Sequence, residues 1–222
     1  MRMYLVRHGQ SEGNISRPDA PHDPGLTELG LSQANLVPSA LKGEPLFALY
    51  ASPMRRALQT AEPIGRAFDL PALVRPKLCE TSRREWNMPE RVGKRKKSGL
   101  SMSEVKQDFP DAVTPQGLAD EDPWWEMLDG EGRSQAYARA TDALNSLKNA
   151  HPGSDETIVV VTHGAFGSVL MSTALSSPPT DYNRYGQYNC GISFLGITPE
   201  DTRLRYLNSA EHLPLALRTD LT

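Results

Sequence analysis

The 222-residue sequence predicts a three-layer α/β/α sandwich built on a mostly parallel sheet, with an inserted lid segment. Three observations carry that prediction. Short apolar runs alternate along the chain with longer stretches of helical periodicity. Two of those runs end in the same way, Leu5-Val6-Arg7-His8-Gly9 and Val160-Val161-Thr162-His163-Gly164. Charge is segregated in one central stretch and mixed elsewhere.

Taken in order, Met3 to Val6 reads as a short buried strand that stops at Arg7-His8-Gly9. Leu26-Thr27-Glu28-Leu29-Gly30 begins a helix that runs through Gln33, Ala34 and Leu36, with Thr27 as N-cap. Leu46 to Ala51 is the second strand. Ser52-Pro53 then offers an N-cap and an N1 proline to a helix from Met54 to Phe68. Leu73 to Leu78 reads as a third strand, interrupted by Pro76 and therefore at an edge. Glu131 to Ala150 is helical, with apolar spacing at Ala136, Ala140, Ala143, Leu144 and Leu147. Thr157 to Val161 is the strongest strand, followed by a helix from Ala165 to Leu175 and late strands at Ile192 to Ile197 and Leu204 to Leu207.

Composition narrows the function class. Lys and Arg number 24 against 27 Asp and Glu, a formal net charge of −3, which argues against a globally basic nucleic-acid binder. Two cysteines, Cys79 and Cys190, are too few for a disulfide framework or a cysteine zinc site and favour a reducing compartment. The apolar stretch at the N-terminus is broken at Arg7, too short for a signal peptide core, and no window reaches the length of a membrane span. The expectation is a cytoplasmic protein.

The strand ends carry the chemistry. Open α/β sheets bind ligands at the carboxyl ends of their strands, so His8 and His163 stand at the expected mouth of a site. Arg7 adjoins the first histidine, and Arg55 lies in the first turn of a helix, where backbone N–H groups already favour an anion. Ser11 and Asn14 follow within a turn and can donate to an oxyanion. Each element also has a bland reading: a lone strand-end histidine is ordinarily structural, and a first-turn arginine ordinarily faces solvent. A two-histidine zinc site awaiting an Asp is disfavoured, because Arg7 and Arg55 would repel a dication and attract a phosphate. Two arginines and two histidines thus read as a tetrahedral anion site that calls for no metal and no cofactor. A neutral imidazole there can attack phosphorus and form a phosphohistidine, with a carboxyl group protonating the leaving oxygen.

Leu5-Val6-Arg7-His8-Gly9-Gln10-Ser11-Glu12-Gly13-Asn14 resembles the defining motif of the histidine phosphatase superfamily, the phosphoglycerate mutase-like fold. The likeness continues through Leu26-Thr27-Glu28-Leu29-Gly30 with Gln33-Ala34, through Ser52-Pro53-Met54-Arg55-Arg56-Ala57 with Thr60-Ala61, and through Val160-Val161-Thr162-His163-Gly164. Asn208-Ser209-Ala210-Glu211-His212-Leu213 resembles the family's C-terminal signature. The resemblance implies that His8 is the phosphorylated nucleophile and that Arg7, Arg55, His163 and Gly164 form the phosphate pocket, with Asn14 assisting. It makes Glu80 the candidate acid, since Leu78, Glu80 and Trp86 keep the register of the family's acid-bearing stretch. Arg84 and Asn87-Met88 depart from that stretch, and Glu85 is the second choice.

Within a single domain spanning 1–222, residues 81–133 or thereabouts are expected to form the inserted lid. From Arg83 to Lys97 there are seven basic residues against Glu85 and Glu90, and from Asp108 to Glu131 eight acids with no Lys or Arg. As a substrate clamp, the basic run would place Arg83, Arg84, Arg91 and Lys94 beside Ser11 as determinants of specificity. As a solvated face it needs no function. The chain keeps Glu90-Arg91 but lacks the Tyr-Gly and Leu-Asn-Lys elements of mutase relatives, which favours a phosphatase over a cofactor-dependent mutase. A catalytically silent phosphate-binding module is the reading from another class. The expected partner is a small phosphorylated metabolite, with neither nucleic acid nor membrane, and the chain acts as a monomer or homodimer.

Overall fold

The computed structural model describes residues 1–15, 23–43, 45–81, 99–116, 131–152, 155–178 and 184–219. Among these residues six strands form one sheet: β1 (Arg2–Arg7), β2 (Leu46–Ala51), β3 (Ala72–Val74), β4 (Thr157–Thr162), β5 (Ile192–Ile197) and β6 (Thr202–Ser209). Their order is β3-β2-β4-β1-β5-β6. β1 pairs in parallel with β4, β4 with β2, and β2 with β3, while β5 runs antiparallel to both β1 and β6. The helices are α1 (Glu12–Ile15), α2 (Glu28–Ala40), α3 (Arg55–Phe68), α4 (Met102–Asp108), α5 (Arg133–Ala150) and α6 (Gly164–Ala174).

Side chains alternate across a strand, and here the alternation sorts two cores. Tyr4 and Val6 of β1 and Val159 and Val161 of β4 face α2, α3 and α4 through Val37, Leu58, Ile64 and Val105. Met3 and Leu5, with Ile158 and Val160, face α5 and α6 through Leu144, Leu147, Phe166 and Leu170. β4 is buried along its whole length, which explains its unbroken Thr-Ile-Val-Val-Val run. The expected sandwich is therefore present, with one face covered by α2–α4 and the other by α5 and α6.

Two local expectations are corrected. The third strand ends at Val74, and Pro76–Leu78 forms a 3₁₀ turn. Pro76 has no N–H with which to continue the ladder, and β3 is the sheet edge as its proline suggested. Ser52 is not the N-cap of α3, which Met54 occupies with no side-chain cap of its own. The first free N–H, that of Arg55, is met instead by the Asp23 carboxylate at 3.0 Å, from a distant part of the chain. Thr27 does cap α2, accepting from the Gly30 N–H at 3.0 Å.

Part of the segment expected to be a lid belongs to the body. α4, with its Ser101/Glu104 capping box, sends Met102 and Val105 into the first core, joined by Leu100 and Phe109. Val113 then extends the sheet edge, accepting from the Val74 N–H and donating to the Ala72 carbonyl, both at 2.9 Å. The basic run 83–97, Trp124-Trp125 and His22 lie outside the described residues. His151 is buried between the Tyr50 hydroxyl at 2.7 Å and the Glu156 carboxylate at 2.6 Å. Burial pushes the Cys79 thiol up to about 12, the behaviour of a packed thiol. Among the described residues no helix is long and apolar enough to cross a membrane.

Candidate active site

β2, β4 and β1 are neighbours in the sheet, and all three run the same way. Their carboxyl ends therefore lie side by side, delivering Ser52, His163 and His8 to one place. The ladder continues into the loops: the His8 N–H donates to the Thr162 carbonyl at 2.9 Å and the Ser52 N–H to the Val161 carbonyl at 3.0 Å. The two imidazoles meet edge to face, ring centroids 5.1 Å apart.

His8 is 3% exposed, and its two nitrogens have opposite surroundings. Nδ1 lies 2.7 Å from the Gly9 carbonyl, which can only accept, so Nδ1 carries the proton. Nε2 lies 3.2 Å from Arg56 Nε, which can only donate, so Nε2 presents its lone pair. The main chain around it is fixed as well. The Gly9 N–H donates to Thr60 Oγ1, and the His8 carbonyl accepts from Asn189 Nδ2 at 3.1 Å.

His163 is fully buried, directly follows β4 and occupies the N-cap position of α6, which Gly164 opens. Its Nε2 meets Ser52 Oγ at 2.8 Å. Burial first, then the positive charge of Arg56 and of the nearby Arg139 and Arg7, hold this imidazole well below its ordinary range. Its Nδ1 is buried with no hydrogen-bond partner among the described residues.

The arginine beside His8 is Arg56, not Arg55. Arg55 points away, its guanidinium 2.8 Å from the Asp108 carboxylate at a third of full exposure. Successive helical residues lie about 100° apart, so only one of the pair can face the sheet. Arg56 shares the buried face of α3 with Thr60 and Ile64, at i, i+4 and i+8. That spacing was present in the sequence and would have selected Arg56. Asp23, whose side chain is 8% exposed, lies 3.5 Å from Arg56 NH1, and Met54 Sδ lies 3.2 Å from NH2, which leaves Nε aimed at His8. Desolvation raises the Asp23 carboxyl above its ordinary value.

Arg7 is buried at 2% exposure, with NH1 donating to the Gln187 carbonyl at 2.6 Å. Asn14 Oδ1 accepts from both the N–H and the hydroxyl of Ser11, so these two residues brace the loop after Gly9 against each other. Glu80 lies just beyond the 3₁₀ turn and reaches the start of α6. Its Oε1 accepts from the Phe166 N–H at 2.9 Å, and Oε2 lies 3.4 Å from the Ala165 nitrogen. The carboxyl group is thereby set against the helix turn that follows His163. Glu85, Arg83, Arg84, Arg91 and Lys94 lie outside the described residues. Asn189 and Gln187 were not singled out in the sequence, and no local motif marks them, while Ser52 was read there only as an N-cap and as part of the arginine motif.

Among the described residues no group of three or more His, Cys, Asp or Glu is arranged to hold a metal ion. The arrangement presents a neutral nucleophilic nitrogen, two buried guanidinium groups, a second imidazole and a carboxyl group, a set suited to phosphoryl transfer.

A family model described as the histidine phosphatase superfamily, branch 1, matches residues 3–210. The chain is similar to phosphoserine phosphatase 1 of Hydrogenobacter thermophilus, with 26% identity over 214 residues covering 96% of this chain and 94% of that one. It is similar to glucosyl-3-phosphoglycerate phosphatase of Mycobacterium tuberculosis, with 30% identity over 193 residues covering 83% and 80%. Among solved structures, that of Entamoeba histolytica phosphoserine phosphatase in complex with 3-phosphoglyceric acid matches with a TM-score of 0.67 and 25% identity, over 96% of this chain and 99% of that one.

Proposed function

The chain belongs to the histidine phosphatase superfamily, and on that premise we propose that it hydrolyses phosphomonoesters of small metabolites through a phosphohistidine on His8. The observation that carries the reading is the state of His8, whose Nδ1–H donates to the Gly9 carbonyl while Nε2 turns to a buried guanidinium. The phosphoryl group would enter between Nε2 and Arg56, taking over the N–H donors now aimed at the imidazole. Arg7 and Arg56 supply positive charge to its oxygens, and the unmet Nδ1 of His163 supports a further contact there.

In the first step Nε2 attacks phosphorus as the P–O bond to the alcohol breaks, and Glu80 gives its proton to the departing oxygen. In the second step the Glu80 carboxylate takes a proton from water as that water attacks phosphorus. The P–N bond breaks, phosphate leaves, and His8 and Glu80 return to their starting states. The relatives named for phosphoserine and glucosyl-3-phosphoglycerate support a substrate of metabolite size.

Phosphate release over a panel of small phosphomonoesters, measured with a chelator present, tests this. The wild type should release phosphate and, on acid-free rapid quench, carry an acid-labile, base-stable phosphoryl adduct; His8→Ala should do neither. Isomerisation of 3-phosphoglycerate with a bisphosphoglycerate primer, outpacing phosphate release, would make it a mutase. Phosphate binding without turnover of any ester would make it a silent module.

A further inference from the structure

One buried side chain outside the pocket is connected to the candidate acid by two separate routes. Arg139 of α5 is 8% exposed and grips Glu131 bidentately, Nε to Oε1 at 2.6 Å and NH2 to Oε2 at 2.8 Å. Its remaining nitrogen, NH1, donates to the carbonyls of Lys77 and Cys79, both at 2.9 Å. Its plane lies over the Phe166 ring, 4.1 Å from the centroid. Cys79 immediately precedes Glu80. Phe166 supplies the N–H that holds the Glu80 carboxylate.

We propose that Arg139, locked by Glu131, is the positioning residue for the Glu80 carboxyl. This rests on the reading of Glu80 as the general acid. The main chain entering Glu80 and the residue whose amide receives its carboxylate are both referenced to one rigid, planar group. Arginine alone among the side chains can do this, because its fork spends two N–H directions on a carboxylate while a third nitrogen serves two carbonyls. Packing alone does not explain the choice: a buried ion pair bears a desolvation penalty that apolar residues of similar volume avoid. What the pair adds is direction. Proton transfer requires the carboxyl oxygen within hydrogen-bond reach of the leaving oxygen, and displacement by 1 Å costs on the order of 10²-fold.

The test uses the full-length enzyme and two aryl esters, p-nitrophenyl phosphate and phenyl phosphate. The first has a leaving oxygen that departs without a proton, and the second needs one. kcat/KM reports the step that phosphorylates His8. Glu80→Gln should lose about 10²-fold or more on phenyl phosphate and much less on p-nitrophenyl phosphate. Arg139→Lys should show the same selectivity with a loss of about tenfold or more, and Glu131→Gln a smaller loss of the same kind. If Arg139→Lys fails to fold, Glu131→Gln carries the comparison, since it keeps the volume and an oxygen toward Nε. Equal losses on both esters in the Arg139 and Glu131 variants, with Glu80→Gln selective, would overturn the positioning role. An unselective Glu80→Gln would instead overturn the reading of Glu80 as the acid, and this inference with it.

Discussion

Replacing Arg56 by alanine removes the guanidinium 3.2 Å from His8 Nε2 and leaves Asp23 as a buried carboxylate without its arginine partner. Loss of a charge-stabilising donor from such a site costs on the order of 10²–10³ in kcat. Arg55→Ala removes only an exposed pair with Asp108, and activity should stay within about tenfold. Steady-state rates on any ester the enzyme turns over distinguish the two, and a reversed order would return the pocket to Arg55. At this scale the sequence was legible for His8, Arg7, His163 and Glu80 as placed residues, because a strand end or a register fixes where each must be. It was misread at 55 and 56, where two arginines stand side by side and a motif recognised by composition does not say which one faces inward. The answer lay in the buried spacing of Arg56, Thr60 and Ile64. Asp23 was out of reach for a different reason. Its partner is the N-terminus of a helix more than thirty residues away, and no local pattern announces a cap supplied from that distance.

Among the elements, α2 illustrates how a helix holds a loop in place. Thr27 caps it and also donates to Gln10 Oε1 at 2.9 Å, while Gly30 sits so close that a Cβ there would overlap the Gln10 carbonyl. Thr27→Ala should cost about 1 kcal/mol, which for a chain of this size lowers Tm by about 2–4 °C with modest loss of activity. Gly30→Ala should lower both Tm and kcat further, because the displaced Gln10 is two residues from His8. Thermal unfolding and steady-state rates on the same preparations check this; a Gly30→Ala enzyme with unchanged kcat would show that the loop tolerates the shift. Strands and helices were readable wherever periodicity was sustained, as in β2, β4, β5 and α5. α4 escaped because its seven residues lie within a stretch whose segregated charge suggested an exposed insertion. Its apolar positions Leu100, Met102, Val105 and Phe109 are few, and they show their common face only when packed.

For the whole molecule, distant parts of the chain meet around the His8 loop. Gln33 Nε2 donates to the Leu217 carbonyl at 2.6 Å and to Thr219 Oγ1 at 2.8 Å, while its Oε1 receives the Gln10 N–H. Thr219 in turn accepts from the Asn189 N–H and donates to Asn189 Oδ1, and Asn189 holds the His8 carbonyl. Deleting residues 215–222 leaves Gln33 and Asn189, both fully buried, with unmet groups worth about 1–3 kcal/mol each. Denaturant unfolding should show a loss of that order and the rate a parallel fall; intact stability would mean that other groups take over those bonds. Nothing in the sequence foretold this closure: Gln10 and Gln33 stand in motifs, but Asn189 and Thr219, which complete it, stand in none. The sheet order has a temporal consequence. β1 is translated first, yet it lies between β4 and β5, whose residues follow about 150 and 190 positions later. Such non-local pairing is slow to form and leaves an apolar strand unpaired in the meantime. A nascent chain stalled before residue 157 thus carries His8 at the end of a strand with neither neighbour. The site around His8 is therefore complete only once β4 and β5 have been made, and before that β1 is an apolar strand without either of its partners.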